Sequence, residues 1–198
     1  MKKLVSLVLA LAFLIPLQAQ AAADKYIYDP AHTQVIFAAS HLGFSFSHGT
    51  FNKFSGGFVF DQENPEASQA DMVIETGSID LNSEAWNTHM KSADFFNVEK
   101  FPTMVFKSTK VEKTGDRTAN LTGDLTLLGV TRPVTLAVTF NKAGAHPMNK
   151  NQVAGFSAAG TLKRSDFGMV YGLPNVGDDV QLIIQVEGIR QDFEKTSQ

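Results

Sequence analysis

The sequence predicts an all-β protein, one antiparallel domain of eight or nine strands with a short helix. Three observations carry this. After residue 23 apolar and polar residues alternate along most of the chain, no βαβ rhythm appears, and neither an internal repeat nor a linker divides it. Strands of this number and length suit a closed up-and-down barrel, which removes exposed edges. A two-sheet sandwich would use the same alternation to make a dry core. The pattern leaves both open.

Tyr26 to Asp29 is a short opening strand, and Thr33 to Ser40 a second, with Val35 and Phe37 on one face. His41 to Thr50 reads as a loop. Phe54, Gly56, Phe58 and Phe60 then share a strand face, Asn64-Pro65 marks a turn, and Met72 and Ile74 alternate with Asp71 and Glu75. One helix of about two turns is predicted through Lys91. Asn82 is its cap, Glu84 suits the first turn, and Trp86 and Met90 stack at i and i+4. A turn at Asp94 to Phe96 follows, and Phe101-Pro102 marks the return to sheet. Met104 and Phe106 open the next strand, and Thr114 to Arg117 turns the chain. Leu121, Gly123, Leu125 and Leu127 share a face. Leu128 to Pro133 connects to Val134, Leu136, Val138 and Phe140. A polar loop from Asn141 to Gln152 precedes Ala154, Phe156, Ala158 and Gly160, and the last strand carries Val180, Leu182, Ile184 and Val186.

The N-terminus has a different character. Lys2 and Lys3 precede an apolar run from Leu4 to Leu17, about 14 residues against the roughly 20 that a spanning helix needs. Gln18 to Ala23 supplies small residues in an Ala-x-Ala pattern, so residues 1–23 read as a cleaved signal peptide and 24–198 as the folded domain. Cleavage falls after Ala21, Ala22 or Ala23. Losing both lysines takes the formal charge further negative than the −3 of the whole chain, which argues against nucleic acid or an anionic membrane as the main partner. The absence of cysteine excludes disulfides, thiolate nucleophiles and Cys–zinc sites. An outer-membrane barrel fits poorly, because the chain ends on the polar Glu194 to Gln198 and shows no aromatic girdles.

Motifs for catalysis are missing. The five histidines, His32, His41, His48, His89 and His146, form neither an HxH pair nor HExxH, and no Gly-x-Ser-x-Gly or phosphate-cradling loop occurs. No metal and no cofactor is expected. The unusual feature is apolar: six of the 16 phenylalanines fall between His41 and Asp61. Phe has no polar handle, so such rings either plug a core or line a cavity. Gly56, Gly123 and Gly160 lie within apolar strand faces, where glycine serves as a bend or leaves room for something else.

Several segments follow one another in a familiar order. They are His41-Leu-Gly-Phe44 with Gly49-Thr-Phe51, Ser92-Ala-Asp-Phe-Phe96 running to Phe101-Pro102, Leu121 to Leu127 with Gly129-Val-Thr-Arg-Pro-Val134, and Gly155-Phe156 with Asp166-Phe167. Over nearly the whole of 24–198 the chain thus resembles the YceI-like family. The resemblance implies an exported, periplasmic protein with a single antiparallel up-and-down eight-stranded lipocalin-like barrel. It implies a long-chain isoprenoid-type lipid, a polyisoprenoid or quinone-like amphiphile, held inside without chemistry. The residues expected along the tail are Phe37, Phe44, Phe46, Phe54, Phe58, Phe60, Phe106, Phe156 and Ile184, with Trp86, Met90, Phe95 and Phe96 at one end. His41, His48, His89 and Arg164 are the candidates for a polar head, Arg164 through bidentate pairing with a phosphate. The alternative is an enzyme acting on such a lipid with a cavity histidine as acid–base. No stable membrane insertion is expected, and a homodimer is compatible with the sequence.

Overall fold

A computed structural model describes residues 23–191; the expected signal peptide, apart from Ala23 at its end, and the polar tail from Glu194 lie outside the described residues. Alternation resolves into eleven strands: β1 (Asp24–Tyr28), β2 (Gln34–His41), β3 (Ser45–Phe51), β4 (Phe54–Phe60), β5 (Gln69–Glu75), β6 (Ile79–Asp80), β7 (Thr103–Lys113), β8 (Thr118–Leu127), β9 (Val130–Ala145), β10 (Gln152–Lys163) and β11 (Val176–Arg190). The helix α1 (Glu84–Lys91) lies between β6 and β7. All strand pairings are antiparallel.

These segments fill eight positions of a closed barrel. β1 and β2 lie on the same edge of β11 as one broken strand. β3 and β4 return against them, and β5 with β6 forms the third position. β7 to β11 are continuous. Closure comes where Tyr26 pairs with Arg190 and Tyr28 with Gly188. The break between β1 and β2 is a local turn in which the Asp29 carboxylate accepts from the Ala31 N–H at 2.9 Å and contacts His32 Nδ1 at 2.8 Å. Thr33 ties the bend to β11 by donating to the Glu187 carbonyl at 3.0 Å.

The barrel is apolar inside and polar outside. Met72, Met104, Leu125, Val134 and Leu136 are buried, while Lys107, Asp124, Thr135 and Gln181 on the alternate positions are exposed. A membrane-spanning barrel has the reverse arrangement.

Four expectations need correction. The stretch from His41 to Thr50 is a hairpin rather than a loop. Its inward positions are Ser47 and Gly49, paired with Ala39 and Phe37, so the phenylalanine-rich side faces out and the usual apolar-inward signature is inverted. The β8–β9 connection is only Leu128-Gly129, both at positive φ (52° and 75°), a pair suited to the tight turn that twisted hairpins favour. β9 runs on to Ala145, shortening the polar loop. Ser83, not Asn82, occupies the helix N-cap; Asn82 sits at φ 57° and donates its N–H to Asp80 Oδ1 at 2.8 Å.

The glycines on the strand faces do not border empty space. A Cβ on Gly123 would lie 2.4 Å from the Phe106 ring and 2.7 Å from the Lys107 carbonyl oxygen. One on Gly160 would meet Leu136 at 2.8 Å, and one on Gly56 the Asp71 carbonyl oxygen at 2.5 Å. Gly49 and Gly188 are similarly covered by the rings of Phe37 and Phe58. The room left by Gly49, Gly123 and Gly188 is taken by the protein's own rings, which lie back against the wall. Gly123→Ala must displace Phe106 or the backbone of β7. We expect a loss of about 1–3 kcal/mol, the usual cost of overpacking, read as a lowered midpoint of urea unfolding. An unchanged midpoint would show that Phe106 is not seated there.

Candidate functional site

Inward-facing residues of the barrel enclose two adjoining apolar cavities. The upper one has a volume of about 580 Å³ and is walled by Val35, Phe37, Phe51, Ile74, Met104, Leu125, Leu127, Leu162, Val180 and Leu182. The lower one, about 370 Å³, is walled by Tyr28, Phe58, Phe60, Leu121, Val138, Phe140, Phe156 and Val186. Met72, Phe106, Leu136 and Ile184 border both, so these four side chains form a waist between two chambers. Each chamber is within the size range of small-ligand sites.

The two ends differ. The lower mouth is polar, with Gln62, Gln69, Lys113, Asp116 and Thr118, and Arg117 lies 5.4 Å over the Phe140 ring. The upper mouth is formed by α1, which contributes Ala85, Trp86, His89 and Met90, and by Phe95, Phe96, Met169 and Tyr171 from the following loops. Two histidines reach it. His41 packs on Trp86 with ring centroids 5.5 Å apart. His89 meets Phe95 and Tyr171 edge-on at 5.0 and 5.3 Å, and its Nε2 lies 3.3 Å from Asp94 Oδ2.

Arg164 borders the upper chamber but is committed to the fold. It is only 3 % exposed and donates from Nε to the Gly177 carbonyl, from Nη1 to Met169 and from Nη2 to Val176, at 2.9, 2.9 and 3.0 Å. The planar fork thereby clamps the turn that follows β10 onto the start of β11. Burial pulls its pKa below the ordinary value, and the nearby Asp178 carboxylate acts in the opposite sense. Asp178 in turn accepts from the Ser165 N–H at 2.9 Å and the Ser165 hydroxyl at 2.8 Å, which holds its carboxyl below the usual range. Tyr28, in the lower chamber, is shifted the other way: burial, and then Asp71, push its pKa up, so it stays a neutral phenol.

A family model described as YceI-like domain matches residues 26–188. The chain belongs to the YceI-like family. Its sequence is 45% identical over 174 residues to a UPF0312 protein of Ectopseudomonas mendocina, covering 87% of this chain and 91% of that one. A UPF0312 protein of Pseudomonas aeruginosa is 42% identical over 190 residues, covering 96% and 98%. Among solved structures, Burkholderia cenocepacia BcnA superposes with a TM-score of 0.74 at 27% identity, over 81% of this chain and 98% of that one. A polyisoprenoid binding domain from Saccharophagus degradans, implicated in plant cell wall breakdown, gives 0.63 at 12% identity over 85% and 99%, a likeness of fold alone.

Within this YceI-like barrel the sequence-predicted residues separate clearly. Phe37, Trp86, Met90, Phe95, Phe96, His41, His89 and Arg164 border the upper chamber, Phe58, Phe60 and Phe156 the lower, and Phe106 and Ile184 both. Phe54 borders neither and packs edge-on against Tyr28 at 6.3 Å. Phe44, Phe46 and His48 point away from the lumen; Phe44 is 90 % and Phe46 52 % exposed. Sequence reasoning favoured aromatic rings and passed over the aliphatic residues on the same alternating faces, such as Met72, Leu125, Leu136 and Leu182. It also missed the approach of Asp29, His32 and Glu187, whose ligand atoms lie within 4.8 Å of one another outside the chambers, because the barrel closure brings β11 to the β1–β2 bend.

Arg164→Lys replaces a fork that reaches three carbonyls with one ammonium. We expect a loss of about 2 kcal/mol or more from the carbonyls left unpaired, measured by urea unfolding. The Asp178 contribution has a defined pH sense. Its folded pKa is depressed, so the stabilisation is complete above the ordinary value of 3.8 and disappears as pH falls through the lower folded value. Asp178→Asn should therefore cost stability at neutral pH, with the difference from the unaltered protein shrinking as pH falls below 3.8 and through the depressed folded value, read from urea unfolding at a series of pH values.

Proposed function

We propose that this barrel is a non-catalytic carrier or store for one long-chain isoprenoid-type lipid, exported to the periplasm. The observation that carries this reading is the pair of adjoining apolar chambers that meet at the waist of Met72, Phe106, Leu136 and Ile184, with polar groups concentrated at their outer ends. A long flexible tail would thread past Met72, Phe106, Leu136 and Ile184 and occupy both chambers. Each methylene moved from water into such a lumen contributes about 0.8 kcal/mol, so binding needs no directional bond along the tail. Part of that gain offsets the ordering of the chain.

The polar head fits best at the upper mouth, where His41 and His89 stand among Trp86, Phe95 and Tyr171. Arg164 adds positive potential from below, with three of its N–H groups already used, which disfavours the bidentate pairing expected from sequence. The Tyr28 phenol offers a neutral donor at the far chamber for a ligand with a carbonyl ring or a second polar end. The polyisoprenoid binding domain from Saccharophagus degradans shares the architecture, and the export signal read at residues 1–23 accounts for the location. Catalysis by His89 as acid–base would draw on its contact with Asp94.

Protein purified without detergent from its exporting host should release a long-chain lipid on solvent extraction, identified by mass spectrometry. Ile184→Trp, which narrows the waist, should keep the fold, checked by circular dichroism and melting, and lower the recovered lipid several-fold. An empty extract from the unaltered protein would sink the proposal.

A further inference from the structure

The rim of the upper chamber carries apolar side chains that no described residue covers. Leu42 and Phe44 stand on the β2–β3 turn, Val170 and Tyr171 on the loop before β11, and Trp86 on α1; all five are exposed. They form one surface. The Leu42 N–H donates to the Asn175 carbonyl at 2.8 Å, joining the two loops. Trp86 packs on His41, next to that turn, and Tyr171 on His89 of α1. Trp86 and Tyr171 also border the lumen, so the rim passes without a break into the chamber. The turn stands clear of the sheet, because β6 meets β3 only at Thr50 and Phe51.

Charge is withheld from the two loops, while Glu84 and Lys91 on α1 and Asp94 beside His89 stay at the edge of the surface. Residues 41–48 hold no carboxylate and 167–176 no charged side chain, in a chain with 20 acidic residues. The opposite mouth instead presents Lys113, Asp116 and Arg117. Neutral apolar tips flanked by tryptophan and tyrosine are the composition that partitions to the headgroup level of a bilayer.

We infer that this rim docks transiently on a lipid bilayer and presents the upper mouth to it. An apolar chain then passes between membrane and lumen without crossing water. A second copy seated on the same rim would cap the mouth, whereas a bilayer would offer an apolar interior in line with a rim whose Trp86 and Tyr171 also border the chamber, which favours the bilayer. The purpose of docking rests on the carrier reading; the docking itself is measured separately.

The purified exported protein is mixed with vesicles of equal parts phosphatidylethanolamine and phosphatidylglycerol and separated by flotation. Trp86 is the sole tryptophan, so its quenching by vesicles with brominated acyl chains reports contact at the rim. The protein should float and Trp86 should be quenched. The double variant Leu42→Asp, Phe44→Asp should weaken vesicle binding about tenfold or more, as expected for losing two inserted apolar side chains. Met148→Asp on the β9–β10 loop, at an 86 % exposed residue of the opposite end, should change nothing. Failure to float, equal binding by the double variant, or a dimer in light scattering that the double variant dissociates while vesicle binding persists, would each overturn the inference. The lipid extract is analysed in parallel. Cargo without vesicle binding rejects docking alone, and vesicle binding with an empty extract rejects the carrier reading alone.

Discussion

Three phenylalanine rings, Phe37, Phe58 and Phe106, lie against the bare backbone of Gly49, Gly188 and Gly123, and the lumen exists because of this seating. A barrel of eight strand positions is narrow enough for ordinary inward side chains to fill it. Here the bulkiest ones lean outward into the space that glycine leaves on another strand. Each ring keeps its apolar contacts while its volume is moved from the axis to the wall. Glycine is usually a weak point in a strand, and the ring that covers it restores the lost packing.

Closure of the barrel depends on the same device. Gly188 lies opposite Tyr28 where β1 meets β11, and Phe58, opposite Tyr26 on β4, reaches across β1 to cover it. Tyr26 stacks on Phe58 at 4.9 Å and Phe156 meets Phe58 edge-on at 5.4 Å, so one ring links four strands at the seam. Without cysteine, the chain has no covalent staple to hold first and last strands together. Antiparallel pairing and aromatic packing do this instead, and they also form part of the lower chamber.

The parts of this arrangement that obey period two were legible in the sequence. The start of β7, with β8, β10 and β11, was read on the correct faces because each alternates cleanly, and Phe106, Phe156 and Ile184 followed from that. β3 was not legible, since Ser47 and Gly49 face in and Phe46 and His48 face out. A hydrophobicity pattern records polarity, whereas this strand was selected by the size of Phe37 on its neighbour. The same limit explains the misreading of Gly123. Its role depends on a diagonal neighbour across the sheet, which no local window contains. The commitment of Arg164 to three carbonyls was equally hidden, because those acceptors belong to backbone that only the tertiary fold brings near.

The inverted strand connects the lumen to the outside. Once β3 turns its small residues inward, Phe44 and Phe46 are left on the exterior at the end where α1 and the 168–175 loop border the mouth. Small inner residues make room for Phe37, and the outward aromatics make the rim apolar, so both follow from one choice of register. A one-residue slip of β3 would bring Phe46 and His48 inside and turn Phe51, a wall of the upper chamber, outward. Pairing of Phe37 with Gly49 and Ala39 with Ser47 prevents that slip, because no other register offers the Phe37 ring a position without a side chain. The open chamber and the exposed rim are therefore consequences of the same cross-strand contact.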